Sequence, residues 1–175
     1  MTSAEIRALQ APLKERYREE PDAARVILRA EAKLGEGVTC KIATGKGLVE
    51  AGLHPATGGA GIEACPGDML LEALVACAGV TLRAVATAME LSISDATISA
   101  DGVLDFRGTL AVAKNVEVGF QAITLSFALE TDATEEQVAM LLKLTQRYCV
   151  VFQTLNRAVE INVTHQIMSK GPTAG

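Results

Sequence analysis

The stretch from Cys65 to Met89 constrains this chain more than any other. It opens with Pro66-Gly67-Asp68, a helix start signal. It then stays apolar for about six helical turns, broken only by Glu72 and Arg83. A surface helix shows a polar face and this one shows almost none, which predicts a helix buried on most sides. Six alanines and Gly79 after Met69 let other backbone approach closely, as suits a central helix packed on a second helix or a second subunit. Cys77 stands in its middle, with apolar or small residues one turn away on either side: Leu70, Ala73, Leu74, Val80, Thr81 and Ala84. Taken alone, a thiol in that setting reads more readily as core filler than as a nucleophile.

With 175 residues the chain is long enough to bury a substantial core. That core is aliphatic, because there is no tryptophan and only four Phe and two Tyr. The net charge of −5 gives no basic footprint, so no nucleic-acid partner is expected. Glu72 and Arg83 inside the apolar stretch are expensive in lipid, so no membrane span is expected either. The N-terminal stretch, with Lys14, Glu15, Arg16, Arg18, Glu19 and Glu20, has no apolar signal-peptide core, and its acids disfavour a transit peptide. A cytoplasmic location follows as the expectation, and there cysteines are reduced, catalytic or inert rather than structural disulfides.

The cysteines are Cys40, Cys65, Cys77 and Cys149, with no C-x-x-C among them, and His54 and His165 stand alone. This spacing predicts no metal site. The glycine-rich segment His54–Glu63 lacks the arrangement a phosphate loop needs, and no cofactor is expected.

In chain order, Ser3 caps a first helix to about Glu19, ended by Pro21, with Ile6, Leu9 and Leu13 along one stripe. Alternation of Val26, Leu28, Ala30 and Ala32 predicts a strand over Ala24–Lys33. A turn at Gly35 and Gly37 leads to a second strand, Val38–Ala43, and a short third one, Leu48–Ala51. After the long helix come strands over Ile93–Phe106 and Val116–Glu130, with a turn near Lys114-Asn115. The second of these slips register around Gln121-Ala122, the mark of a bulge. Thr134 and Gln137 form a capping box for a second core helix, with Val138, Leu141, Leu142 and Thr145 on one face and Cys149 at its end. Val159–His165 is the last predicted strand. Strands grouped with two core helices make an α+β fold. The expected organisation is a helical arm over 1–20, one domain over 21–168 and a flexible tail over 169–175.

Two stretches resemble one family. Pro66 to Cys77 is similar to the "Ser-Pro-x-Glu-Leu-Leu-Leu-Ala-Ala-Leu-x-x-Cys" helix start of the OsmC/Ohr proteins. Tyr148-Cys149-Val150-Val151-Phe152-Gln153-Thr154-Leu155 resembles their second motif, "Cys-Pro-Val-x-x-x-Leu". The resemblance covers roughly Ala24 to His165. It implies antiparallel sheets wrapped around two central helices in an intertwined homodimer, and a thiol peroxidase that reduces organic hydroperoxides with an external dithiol as reductant.

By the same resemblance Cys77 is the peroxidatic cysteine and Cys149 the resolving one. The thiolate becomes a sulfenic acid, and the second thiol condenses with it. Members of the family hold the thiolate with an arginine oriented by a glutamate. Asp68 is the available acid, most simply read as a residue favoured by the helix dipole. No arginine matches by motif, and Arg25 and Arg29 on the first strand are both candidates. The family's proline after the second cysteine is Val150 here. Those departures carry an alternative, a catalytically weak or inactive dimer that binds a small apolar ligand. Cys65, just before a helix N-terminus, is a competing thiol, and Cys40 reads as core.

Overall fold

The computed structural model describes residues 3–34, 40–42 and 51–165. A four-stranded antiparallel sheet in the order β2-β1-β3-β4 forms its frame. The strands are β1 (Arg25–Leu34), β2 (Cys40–Ile42), β3 (Ile93–Asp105) and β4 (Phe120–Thr131). Strand β3 turns Ala96, Ile98 and Ala100 inward with the period of two that a half-buried strand requires, and a register shift between Ile93 and Asp95 brings Ile93 inward as well.

The long helix α2 (Pro66–Ala88) lies on that inner face. Helix α4 (Glu135–Tyr148) and the short α5 (Val150–Leu155) pack against α2. The core therefore joins Leu71, Leu74, Val75, Ala78 and Leu82 of α2 to Ile98, Leu141 and Cys149. Each fully buried leucine contributes about 2 kcal/mol of transfer free energy. Gly102 on β3 lets the Phe120 ring approach the strand closely, since a Cβ there would meet Phe120 Cε1 at 2.3 Å.

A second, smaller core lies where α1 (Ser3–Glu19) docks, and unites Tyr17, Ala24, Phe106 and Leu110. The Tyr17 hydroxyl donates to the Ala56 carbonyl at 2.7 Å, and Gln10 Nε2 donates to the Thr57 carbonyl at 3.2 Å. The arm is thereby tied to the loop that precedes α2.

Several expectations meet the structure closely. The register of β3 on β4 shifts where Val103 faces Ala122 and Leu104 faces Phe120, which leaves Gln121 as the bulged residue. Both halves of the Thr134–Gln137 capping box are present.

Others need correction. The strand predicted from Val116 starts at Phe120, because a one-turn helix α3 (Phe106–Thr109), turns and Gly119 at φ +115 fill the connection. Helix α5, absent from the sequence reading, follows Cys149 directly. The predicted strand Val159–His165 forms no regular element and joins no ladder among the described residues, with Ile161 84% and Val163 90% exposed. A strand needs a neighbour for its N–H and C=O groups, and the described residues of one chain supply none.

Helix α2 is not enclosed on most sides either. Leu71, Leu74, Val75, Ala78, Leu82 and Ala86 are buried, while Leu70, Ala73, Val80 and Ala84 form a second apolar stripe that is exposed among the described residues. By length and composition alone α2 could cross a membrane; its buried stripe on the sheet is that of a core helix. The predicted Gly35–Gly37 turn, and residues 48–50 of the short third strand, lie outside the described residues. Ala51 forms an isolated parallel bridge with Ala64.

Candidate active site

Cys77 and Cys149 are 72 positions apart and meet in space. Cys77 sits midway along α2, between Ala73 and Val80 of the uncovered stripe. Cys149 is completely buried at the junction of α4 and α5. Their side chains share a hydrogen bond, with the Cys149 thiol donating to the Cys77 sulfur. Among the described residues Cys65, Cys77 and Cys149 are free thiols.

The two thiols have opposite acidities. Burial pushes the Cys77 thiol upward, because a thiolate loses hydration there. Hydrogen bonding from the Val151 N–H, the Cys149 side chain, the Val150 N–H and the Thr81 side chain outweighs that, and Cys77 lies below the ordinary cysteine value. Burial likewise raises Cys149, and its contact with Cys77 adds to the rise despite the Phe152 N–H. It is pushed up to about 11. The Phe152 N–H donates to Cys149 Sγ at 3.4 Å. The pair thus holds one proton readily and gives up the other. That is the asymmetry a nucleophile and its partner require.

Of the other predicted residues, Asp68 and Arg25 lie elsewhere. Asp68, in the first turn of α2, is nine residues from Cys77, roughly half a turn round the helix and about 13 Å along it. Burial raises its carboxyl and His54 draws it down. Its electrostatic neighbour is therefore His54, whose ring stacks on Phe106 at 5.0 Å. Arg25 is exposed and pairs with Asp22 at 3.6 Å. Its strand neighbour Ile27, on the same sheet face, is 64% exposed, which puts that face away from α2. The backbone of Arg29 pairs with Asp101, and its side chain lies outside the described residues. Among the described residues, no charged side chain acts on the Cys77 sulfur. Cys65 occupies the N-cap of α2 without a capping hydrogen bond and packs against the core.

Sequence reasoning missed three contributors. Thr81, one helical turn beyond Cys77, carried a visible signal: a hydroxyl at i+4 on an apolar helix. The amides of Val150 and Val151 carried none, because their direction depends on the break between α4 and α5.

A cavity of about 660 Å³ is lined by Leu70 and Leu74 of α2, Phe120, Ile123 and Phe127 of β4, and Phe152 of α5; neither Cys77 nor Cys149 lines it. Leu74 lies one turn before Cys77, and Phe152 is the residue whose amide holds Cys149. Gln146 and Asn156 supply polar groups at its wall. Among the described residues no three His, Cys, Asp or Glu side chains gather to hold a metal ion.

The chain is similar in structure to an OsmC-like hydroperoxide resistance protein from Jannaschia sp. CCS1. The TM-score is 0.62 at 18% identity, over 84% of this chain and 97% of that one. It is also similar to an OsmC-like protein from Mycoplasma pneumoniae. There the TM-score is 0.53 at 17% identity, over 75% of this chain and 86% of that one. At such identities the likeness establishes the fold. No curated protein matches the chain. The model of one family, OsmC-like protein, matches residues 58–164, which include both cysteines, α2, β3, β4, α4 and α5. The α+β chain with its paired thiols therefore belongs to the OsmC-like protein family.

Proposed function

We propose that this protein is a thiol peroxidase that reduces organic hydroperoxides. The observation that carries the reading is the hydrogen-bonded pair Cys77–Cys149, with one thiol lowered and the other raised. The Cys77 thiolate attacks the terminal oxygen of the hydroperoxide. The O–O bond breaks, the alkoxide takes a proton and leaves as alcohol, and Cys77 becomes a sulfenic acid. Cys77 is then neutral, so its share in raising Cys149 disappears and Cys149 deprotonates more readily. Cys149 attacks the sulfenic sulfur, expels water and closes a disulfide. An external dithiol then restores both thiols by exchange.

The mostly apolar cavity that shares Leu74 and Phe152 with the surroundings of the pair supports an organic hydroperoxide over hydrogen peroxide. The same proposal places the protein in the cytoplasm, where a reducing thiol pool keeps such a pair cycling.

The working unit in this reading is a homodimer. Its support is the uncovered apolar stripe of α2 together with the exposed alternation Val159, Ile161 and Val163, both of which a second copy would cover. A second reading, a dimer that binds a small apolar ligand without turnover, draws on the absence of a charged side chain at Cys77 among the described residues.

Consumption of cumene, tert-butyl and hydrogen peroxide with a dithiol separates the two. Turnover of the organic peroxides, abolished by Cys77→Ser, with a Cys77–Cys149 disulfide found by mass spectrometry, is the expected result. No turnover with any dithiol, and free thiols after peroxide, would leave the binding reading.

A further inference from the structure

The inward face of β3 narrows along the strand, from Ile98 through Ala100 to Gly102, all three buried. A side chain at Gly102 would point into the core, and other atoms already occupy that place. Its Cβ would come within 3.3 Å of Leu71 Cδ1 and 2.6 Å of Phe120 Cδ1, and closer still to Phe120 Cε1. The Phe120 ring thus fills the space that the missing side chain leaves free. The bulge brings it there. Gly102 pairs with Ile123 and Val103 with Ala122, but Leu104 faces Phe120 because Gln121 is passed over. Directly paired residues share a sheet face. Without the bulge Gln121 would take the inner position opposite Leu104, and Phe120 would point away from the core.

Phe120 and Ile123 line the cavity of about 660 Å³ and Gly102 does not, so the ring stands between the glycine and the cavity. Leu71 is completely buried, whereas Phe120 is half-buried and borders open space. Of the two neighbours that a methyl group at residue 102 would meet, the ring is the one with room to yield. It yields into the cavity.

We propose that Gly102 and Phe120 form a gauge for this cavity, the absent side chain letting the ring draw back against β3 so that bulky, aryl-bearing organic hydroperoxides enter. The inference deepens the peroxidase reading by naming the substrate class, and it rests on that reading. The volume lies in the range of sites that enclose drug-sized ligands, far beyond the needs of hydrogen peroxide. Gly102 is a positioning residue, because it acts through Phe120.

The test compares Gly102→Ala, Phe120→Ala and the double variant, each shown to be folded by its thermal melt. The first readout is kcat/KM for cumene hydroperoxide divided by that for hydrogen peroxide, with a dithiol as reductant. Gly102→Ala should lower this ratio about tenfold, through a raised KM for cumene hydroperoxide, in line with the weight of one methylene in an apolar pocket. Phe120→Ala removes both ring atoms that crowd residue 102. The double variant should therefore return the ratio to the parent's value or above it. A substitution that merely loosened the fold would lower both substrates alike, and loss of the ring would not rescue it. The second readout is binding of the neutral fluorescent probe N-phenyl-1-naphthylamine, which should weaken in Gly102→Ala and recover in the double variant.

A ratio unchanged in Gly102→Ala, or lowered and not restored in the double variant, overturns the proposal. Should Gly102→Ala not fold, Phe120→Ala decides: its ratio should rise, and an unchanged ratio overturns the gauge. Probe binding needs no turnover. In a protein that consumes no hydroperoxide, the expected order of probe affinities would sink the peroxidase reading and leave the gauge standing for apolar ligands. Equal probe affinities would overturn the gauge as well.

Discussion

Asp105 and Cys77 are two groups inclined to hold negative charge inside the same molecule, and the fold treats them in opposite ways. Asp105 is 2% exposed, and Arg107 grips both its oxygens through Nε and Nη2 at 2.6, 3.0 and 3.1 Å. Hydrogen bonds from the Arg107 side chain outweigh burial and hold its carboxyl below the usual range. Around Cys77 no guanidinium acts among the described residues; amides and a hydroxyl oppose burial instead. The first arrangement is local, two residues apart on one turn. The second joins α2 to a helix junction 72 positions later. A full opposite charge suits a permanent structural anion. Neutral donors lower a thiol without fixing it as a permanent ion pair, which suits a sulfur that must lose its charge during a reaction.

The largest effect should come from breaking the ion pair. Arg107→Met removes the hydrogen-bonded counter-charge of the buried Asp105 carboxylate and leaves it only the more weakly acting Arg25, and should lower the melting temperature on the order of 5–10 °C by calorimetry. Cys77 alkylation should stay unchanged. A matching shift in Cys77 would show the two sites to be coupled and end the contrast.

The acid limb of the stability curve sharpens it. Asp105 has a depressed folded pKa, so its stabilising contribution is complete above the unfolded value of about 4 and is lost as pH falls through the lower folded value. Asp105→Asn should flatten that limb below about pH 4 in denaturant titrations, and an unaltered slope would deny the pair its role.

Next in size is Tyr17→Phe. Loss of the bond to the Ala56 carbonyl should cost about 1 kcal/mol in urea unfolding, with Cys77 alkylation again unmoved.

The smallest effect is electrostatic. Raising salt from about 0.05 to 0.5 M should shift the Cys77 alkylation midpoint by less than about 0.3 units, since neutral donors are not screened. Arg25→Ala should also leave it in place, because Arg25 pairs with Asp22. A rise of a unit or more in Arg29→Ala would restore a guanidinium to the site.

Much of this was legible in the residues themselves. Unbroken apolar character named α2, the alternation from Ile93 onward named β3, the Thr134–Gln137 pair fixed the start of α4, and the slip at Gln121 gave the bulge. These are properties of local periodicity and capping, with physical causes that act within a few residues. Cys77 and Cys149 are candidates through the resemblance of their surroundings to two family motifs. Their meeting was a matter of packing, because contact between residues 72 apart depends on how α4 folds back onto α2. Tertiary structure alone decided that Asp68 faces His54, that Arg25 stands on the far side of the sheet, and that α5 breaks from α4 at Cys149. The sequence shows which side chains are available; the direction of an amide belongs to backbone torsions that only the packed chain sets, and here those torsions select the partners of the Cys77 sulfur.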